Sequence, residues 1–240
     1  MPKTPANKVH EVIGKYMLDD GLEPIVDLEK SHGSWVHDAV TGREYLDLFS
    51  CFASMPIGWS HPKVVSRKSE LADAAVNKPT NSDIYSTQMA DFIEVFARVA
   101  KPEAFKHFFF VSGGALAVEN ALKAAFDWKM RKRMARGEAE DVNLQVIHFK
   151  QAFHGRTGYT LSITNTADPR KTQYFPKFDW PRITNPKITF PLNEDNLATV
   201  KQLEEQALEE IRRAIDENPN EIAALIIEPI QGEGGDNHFR

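Results

Sequence analysis

The sequence lacks several features, and each absence excludes a class of protein. Cys51 is the only cysteine among 240 residues, which excludes a disulfide framework and a cysteine-based metal site and fits a reducing compartment. No apolar run approaches the roughly 20 residues that a transmembrane helix needs, and the first residues, MPKTPANK, carry no apolar signal core. We therefore expect a cytoplasmic protein with no metal site and no membrane contact.

An excess of positive charge is also missing, because the net charge is −5 at pH 7. Proteins that bind nucleic acid normally carry net positive charge or a strongly basic face, so nucleic acid is not expected as a partner. A basic cluster from residue 129 to 136 is a local exception, but it lies just before Gly137 at the predicted end of a helix. Cations complement the dipole there, so we interpret the cluster as a solvated helix end in preference to a nucleic-acid patch.

What the sequence does contain is an alternation of helix and strand patterns. Helical spacing from residue 9 to 17 opens the chain, and three short strand-like runs between 25 and 49 predict a small antiparallel meander. From residue 62, helices alternate with buried strands at 144–149 and 222–227. This pattern predicts an α/β fold with a mostly parallel sheet, flanking helices and ligands beyond the carboxyl ends of the strands.

One stretch combines a strand, a glycine turn and a helix. An apolar run at 107–111, predicted to be a strand, leads through Ser112, Gly113 and Gly114 into an amphipathic helix from Ala115. The first turn of a helix has unpaired N–H groups and partial positive charge, and glycines let a phosphate approach. The turn matches neither the GxGxxG pattern nor a P-loop. On these residues alone, an anion site and a tight turn without a ligand fit equally well.

Two further strand ends carry polar, glycine-rich motifs. AFHGRTGYT follows the strand at 144–149, and EPIQGEGG follows the strand at 222–227. Together with SGGALAVENALK, these ordered motifs resemble class III pyridoxal-phosphate-dependent aminotransferases, most closely those acting on the terminal amine of L-lysine, over essentially the whole chain. The resemblance implies a fold-type-I architecture. Residues 1–60 would form the N-terminal helix and antiparallel segment of a small domain, and residues 61–240 the first part of the large cofactor-binding domain.

The resemblance also implies which residues bind the cofactor and the substrate carboxylate. The backbone of Gly114 and Ala115 would hold the phosphate of pyridoxal phosphate, and Phe153 would stack on its pyridine ring. Arg156 would bind a substrate carboxylate, for which its planar and always charged guanidinium is suited. Core packing of Phe153 and a structural salt bridge of Arg156 are the alternatives. We interpret His154 as a residue that shapes the loop.

The two acidic residues of the third motif would have different roles. Glu228 resembles the family glutamate that lies close to the cofactor and orients its neighbours. Glu233 resembles a switch glutamate, which pairs with an arginine while L-lysine is bound and swings away for 2-oxoglutarate. Such a coupling is of order 1–3 kcal/mol. A satisfied surface glutamate is the alternative for Glu233.

The implied activity is transfer of the terminal amino group of L-lysine to 2-oxoglutarate, giving 2-aminoadipate 6-semialdehyde and glutamate, by a homodimeric enzyme. In the family, the Schiff-base lysine and the aspartate that keeps the pyridine nitrogen protonated lie beyond the point corresponding to Arg240. Lys150 lies one strand end too early for the first role. We therefore expect no catalytic residue in this chain, which resembles the N-terminal part of the enzyme and is expected to be inactive alone.

Three alternatives remain open at this point. A 4-aminobutyrate or ornithine aminotransferase shares the FHGRT motif and the acidic loop. A noncatalytic module would bind phosphate or cofactor reversibly without reacting. A purely structural or interaction protein would tolerate changes at Arg156 and Glu233.

Overall fold

A computed structural model describes residues 4–77, 79 and 82–240. The chain divides into two compact units, and the division falls between Glu103 and Ala104. The domain boundary after residue 60 stays a prediction. Among the described residues, no helix combines the length and the apolar character needed to cross a membrane.

The first unit opens with short helical segments and an antiparallel strand pair. A 3-10 turn, Ala6–Lys8, leads into α1 (Val9–Gly14). Strands β1 (Trp35–His37) and β2 (Glu44–Leu46) pair antiparallel. Residues 25–30 were expected to add a third strand, but the structure contains only an isolated bridge from Val26 to Asp38.

The carboxylate of Asp38 explains why the meander is incomplete. It accepts hydrogen bonds from the backbone N–H groups of Ile25 at 3.1 Å, Val40 at 3.0 Å and Thr41 at 3.2 Å. Because a side chain binds the N–H of Ile25, that group is not available to a strand ladder. The Thr41 hydroxyl and these N–H groups lower the pKa of Asp38 to about 2.

Three helices complete the first unit. They are α2 (Pro62–Val65), α3 (Lys68–Val76) and α4 (Thr87–Val99). The helical pattern over 64–76 is therefore divided between two helices, since the Arg67 N–H bonds the Val64 carbonyl in a tighter turn at 3.0 Å. Helix α4 begins after Ser86, whose hydroxyl accepts from the Met89 N–H at 3.2 Å.

The second unit is built on a parallel sheet of three strands. Strand β3 (Gln145–Phe149) lies between β4 (Arg182–Ile183) and β5 (Ile222–Leu225), and both neighbours run parallel to it. This confirms the parallel pairing predicted for residues 144–149 and 222–227. A short antiparallel pair, β6 (Ile230–Gln231) and β7 (Asn237–His238), follows the sheet.

Helices pack against the central strand, whose side chains alternate between two cores. They are α5 (Gly114–Ala135), α6 (Gly158–Ile163) and α7 (Glu194–Glu217). In one core, Ile147 and Phe149 pack with Ala207 of α7. In the other, Val146 packs with Leu122 of α5. All five residues of β3 are buried, as its apolar residues Val146, Ile147 and Phe149 predict for a strand covered on both faces.

The aromatic run at 107–111 is not a strand, so this prediction was wrong. A strand persists where a neighbour binds its backbone groups, and no strand in the described part of the chain pairs with these residues. The rings of Phe108 and Phe110 lie 5.9 Å apart, and Phe109 is 75% exposed. The following helix does form, and it begins one residue earlier than predicted, at Gly114.

The basic end of α5 is solvated only in part. Arg133 is 7% exposed, and its Nη2 donates to the Ala139 carbonyl at 2.9 Å. Its Nη1 lies 3.0 Å from Glu138 Oε2. Lys132 lies over the Trp128 ring, 4.2 Å from its centroid. The predicted solvated end is therefore wrong for Arg133, because the chain after α5 folds back over it.

Helix α7 provides a test of the local sequence reasoning. Its N-cap is Asn193, as predicted, and the side-chain oxygen accepts the Asn196 N–H at 2.9 Å. We expect Asn193→Ala to lower the free energy of unfolding by about 1 kcal/mol, as measured by chemical denaturation. Asn193→Asp keeps an acceptor and serves as the control. Equal stability of wild type and Asn193→Ala would contradict the prediction.

Candidate functional site

The turn before α5 has the features of an anion site. Gly113 has φ of +96°, in the left-handed region, and caps the helix without a side-chain acceptor. The first N–H groups of α5 therefore have no capping side chain. A Cβ added at Gly114 would meet no described atom within 4 Å. Donors, partial positive charge and open space over the backbone suit a phosphate.

Gly155 brings the second motif against this turn. A Cβ on Gly155 would lie 2.6 Å from the Ala115 Cβ and 2.8 Å from Thr160 Oγ1, and its φ is +127°. Both the space and the backbone conformation therefore require glycine. The FHGR segment consequently lies directly against the first turn of α5.

Glu119 on α5 reinforces the same contact. Its Oε1 accepts from the Thr157 hydroxyl at 2.7 Å and from the Thr160 N–H at 3.0 Å. The N–H of Thr157 in turn donates to Thr160 Oγ1 at 3.0 Å, at the start of α6. Sequence reasoning missed Glu119, because its partners lie 38 and 41 residues away and nothing near it in sequence indicates them.

Phe153 and Glu228 join the second motif to the third. The N–H of Phe153 donates to Glu228 Oε2 at 3.0 Å, and both residues are half-buried. Burial raises the pKa of Glu228, and the nearby Glu233 adds to the rise, although the Phe153 N–H opposes it. Glu228 therefore holds a proton more readily than an exposed glutamate does.

A cluster of four amides, here called the amide cluster, also holds these motifs together. Asn185 Nδ2 donates to the Oε1 atoms of Gln151 and Gln231, each at 2.8 Å, and Asn237 Nδ2 donates to Gln231 Oε1 at 3.0 Å. A Cβ at Gly234 would lie 2.5 Å from the Gln151 carbonyl oxygen. The sequence contains no signal for this cluster, because its members come from three separate segments: Gln151, Asn185, and the β6–β7 hairpin that carries Gln231 and Asn237.

Glu233 lies in the turn between β6 and β7, and two side chains donate hydrogen bonds to its carboxylate. Its Oε1 accepts from the Lys171 Nζ at 2.8 Å and from the Thr166 hydroxyl. Burial raises the pKa of Glu233, but the hydrogen bonds from Lys171 and Thr166 outweigh it, so the pKa lies below its ordinary value. The carboxylate is therefore ionised at neutral pH. Sequence reasoning did not identify Lys171 or Thr166.

Arg156 lies at an exposed position directly after Gly155. It forms no hydrogen bond or ion pair with the residues that the structure describes. The structural salt bridge considered as the alternative thus has no partner in the described part of the chain. An unpaired guanidinium beside the glycine loop suits a carboxylate ligand.

Two histidines of this region are buried, His148 in β3 and His154 in the second motif. His148 Nε2 accepts from Arg182 Nε at 3.1 Å, and since arginine only donates, His148 is neutral with its proton on Nδ1, facing the Val146 carbonyl at 3.2 Å. The N–H of His154 donates to Thr164 Oγ1 at 3.0 Å, and its Nε2 has no partner among described atoms. Burial lowers the pKa of each histidine to about 4.

These histidines make stability depend on pH. Each has a folded pKa of about 4 against 6.5 ordinarily, so the unfolded chain binds more protons between these values. Their contribution is present above pH 6.5 and is lost as the pH falls toward 4. Between pH 7 and pH 5, denaturant titration should show wild type losing on the order of 2 kcal/mol more than His154→Leu.

The control for this comparison is His238→Leu, because His238 is exposed. It should lose as much stability as wild type over the same pH interval. Parallel pH profiles for wild type and His154→Leu would contradict the assignment of a buried, neutral His154.

Comparison with known proteins identifies the family. The chain matches the family model described as aminotransferase class-III over residues 17–240. It is 53% identical, over 100% of its length, to the L-lysine-epsilon aminotransferase of Mycobacterium tuberculosis. It is 50% identical, over 98% of its length, to the protein of that name from Streptomyces clavuligerus. It covers 53% and 51% of those proteins, and so spans about half the length of the curated relatives it matches.

The fold agrees with a solved structure. The structure described as lysine aminotransferase from M. tuberculosis in the internal aldimine form has a TM-score of 0.92 and 52% identity, covering 99% of this chain and 54% of that chain. The fold-type-I α/β architecture expected from the sequence is thereby confirmed. This chain belongs to the class-III aminotransferase family.

Proposed function

We propose that this chain contributes the phosphate, ring and carboxylate contacts of an L-lysine 6-aminotransferase. The reaction would move the terminal amino group of L-lysine to 2-oxoglutarate, giving 2-aminoadipate 6-semialdehyde and glutamate. The observation that carries the proposal is the meeting of the three motifs, through Gly155 against Ala115 and through the Phe153 N–H bound to Glu228. The names of two relatives at 50–53% identity support L-lysine as the donor.

The residues present fit pyridoxal phosphate, the cofactor of this family. Gly114 and Ala115 would hold the phosphate with backbone N–H groups at the uncapped start of α5. Phe153 would cover one face of the ring and exclude water from it, and Glu228 would fix the loop that carries Phe153. The cofactor supplies an electron sink for the substrate carbon that carries the transferred amine.

The two substrates make opposite demands on the pocket. L-lysine places its amine at the cofactor and its carboxylate far away, whereas 2-oxoglutarate also has a carboxylate beside its reacting carbon. Arg156, unpaired in the described chain, would bind the distant carboxylate. Glu233 would neutralise a second cation while L-lysine is bound and release it for 2-oxoglutarate. A carboxylate that is ionised and partly exposed, as that of Glu233 is, suits this role.

A homodimer is proposed from the family, and large exposed side chains such as Phe52 and Tyr174 support burial against further protein. A cytoplasmic location is proposed because the single cysteine, Cys51, is free. The division into residues 1–60 of a small domain and 61–240 of a large domain is proposed from the sequence resemblance.

Substrate preference tests the function directly. The intact protein, supplied with pyridoxal phosphate and 2-oxoglutarate, should show a higher kcat/KM for L-lysine than for L-ornithine or 4-aminobutyrate, measured as glutamate formed. A preference for either competitor would reassign the donor within the family. Reversible cofactor binding without turnover of any donor would instead support a noncatalytic module.

Arg156 can be tested separately from folding. Arg156→Gln should lower kcat/KM for L-lysine about tenfold to a hundredfold, since hydrogen bonds to charged groups contribute about 1.5–3 kcal/mol. The melting temperature should not change, because Arg156 is exposed. Arg131→Gln, an exposed arginine paired with Asp127 on α5, is the matched control and should keep full activity. Equal losses of kcat/KM in the two variants would show that Arg156 does not bind the substrate carboxylate.

A further inference from the structure

We infer that Lys171 and Thr166 form a holding site for the Glu233 carboxylate, occupied while 2-oxoglutarate is bound, and that Lys171 thereby sets the balance between the two substrates. The inference rests on the proposed function and specifies how one pocket accepts both a cationic and a dicarboxylate substrate. Lys171 is here a specificity-determining residue that acts through Glu233.

The backbone that carries Glu233 is fixed on both sides. Gln231 and Asn237, 0% and 7% exposed, belong to the amide cluster, and β6 and β7 pair with Ile230 opposite His238. Gly234 packs against the Gln151 carbonyl with no room for a Cβ. Movement of the Glu233 carboxylate is therefore rotation of its side chain about a fixed backbone, and the partners within reach decide where it rests.

Two donors converge on one oxygen of that carboxylate. Lys171 Nζ and the Thr166 hydroxyl both donate to Glu233 Oε1. The side chains of Lys171 and Glu233 are 35% and 29% exposed, so water screens the pair only in part. Both donors belong to the segment after α6, which includes the 3-10 turn Pro169–Lys171. The position seen in the structure is thus a defined site with charge and hydrogen-bond complementarity.

Of the charged side chains that the structure describes near Glu233, Lys171 is the one that binds its carboxylate. The Arg170 guanidinium pairs with Asp168, from Nε to Oδ1 at 2.9 Å and from Nη2 to Oδ2 at 3.0 Å. Asp168 is itself negative and opposes the charge of Glu233. Among the described residues, Lys171 is the cation that forms an ion pair with Glu233.

The holding site affects the two substrates differently. While Lys171 and Thr166 hold Glu233, its charge does not neutralise a substrate-binding cation, and the second carboxylate of 2-oxoglutarate can use that cation. L-lysine has no second carboxylate and does not depend on the holding site. Weakening the Lys171 contact therefore lowers the fraction of molecules in which Glu233 occupies the holding site. The affinity for 2-oxoglutarate falls by the factor by which this fraction falls.

The test compares three variants of the intact protein with pyridoxal phosphate. Lys171→Met keeps a long stem and removes the charge, Lys171→Arg keeps the charge, and Arg170→Met is the matched control at the adjacent position. The measurements are KM for 2-oxoglutarate, KM for L-lysine, and the Kd of glutarate, a dicarboxylate without a reacting carbonyl, by calorimetry.

We expect Lys171→Met to raise KM for 2-oxoglutarate and Kd for glutarate roughly threefold to fivefold, the size expected for a partly exposed ion pair. KM for L-lysine should not rise, and Lys171→Arg and Arg170→Met should match wild type. An unchanged Kd for glutarate, or equal changes in KM for both substrates, would overturn the inference about Lys171 and leave the proposed function standing. If wild type does not transfer the amine from L-lysine to 2-oxoglutarate, the proposed function fails and the inference falls with it.

Discussion

The contact between Gly155 and the first turn of α5 is the constraint on which the site depends. The loop backbone lies so close to Ala115 and Thr160 that a Cβ on Gly155 would overlap both. Glu119 reinforces the same approach by accepting from the Thr157 hydroxyl and the Thr160 N–H. Because this packing fixes α6 against α5, the proposed ring contact at Phe153 and the proposed phosphate contact at Gly114 belong to one rigid corner of the second unit.

The third motif is joined to this corner by buried polar contacts. The amide cluster and the Phe153 N–H to Glu228 hydrogen bond are half-buried or buried, where breaking one partner leaves an unsatisfied polar group and is costly. Such contacts favour a fixed backbone. Glu233 differs, because its carboxylate is partly exposed and is held by a lysine and a hydroxyl. A fixed backbone with one carboxylate that can rotate would suit the proposed pocket, which accepts two unlike substrates in turn.

Which features could be predicted from the sequence depended on how far apart in the chain the interacting residues lie. The N-cap at Asn193 and the glycine turn at Gly113 depend on neighbours within a few residues, and local patterns predicted them. The strand predicted at 144–149 formed because β4 and β5 pair with it. The strand expected at 107–111 failed because a strand needs a partner that no local pattern supplies. The expected strand at 25–30 failed because the carboxylate of Asp38, distant in sequence, binds the Ile25 N–H.

The sequence by itself determined the family, the α/β class and the six residues proposed for the site, since each motif is a contiguous string whose spacing survives without coordinates. Only the tertiary structure decided which of these residues touch and what else touches them. Glu119 and Lys171 make contacts that span 38 to 62 residues of chain, and in the amide cluster Gln151 contacts Asn185 and Asn237 across 34 and 86 residues. Burial and hydrogen bonds between residues so far apart in the chain depend on how the whole second unit packs. No local sequence pattern contains that information.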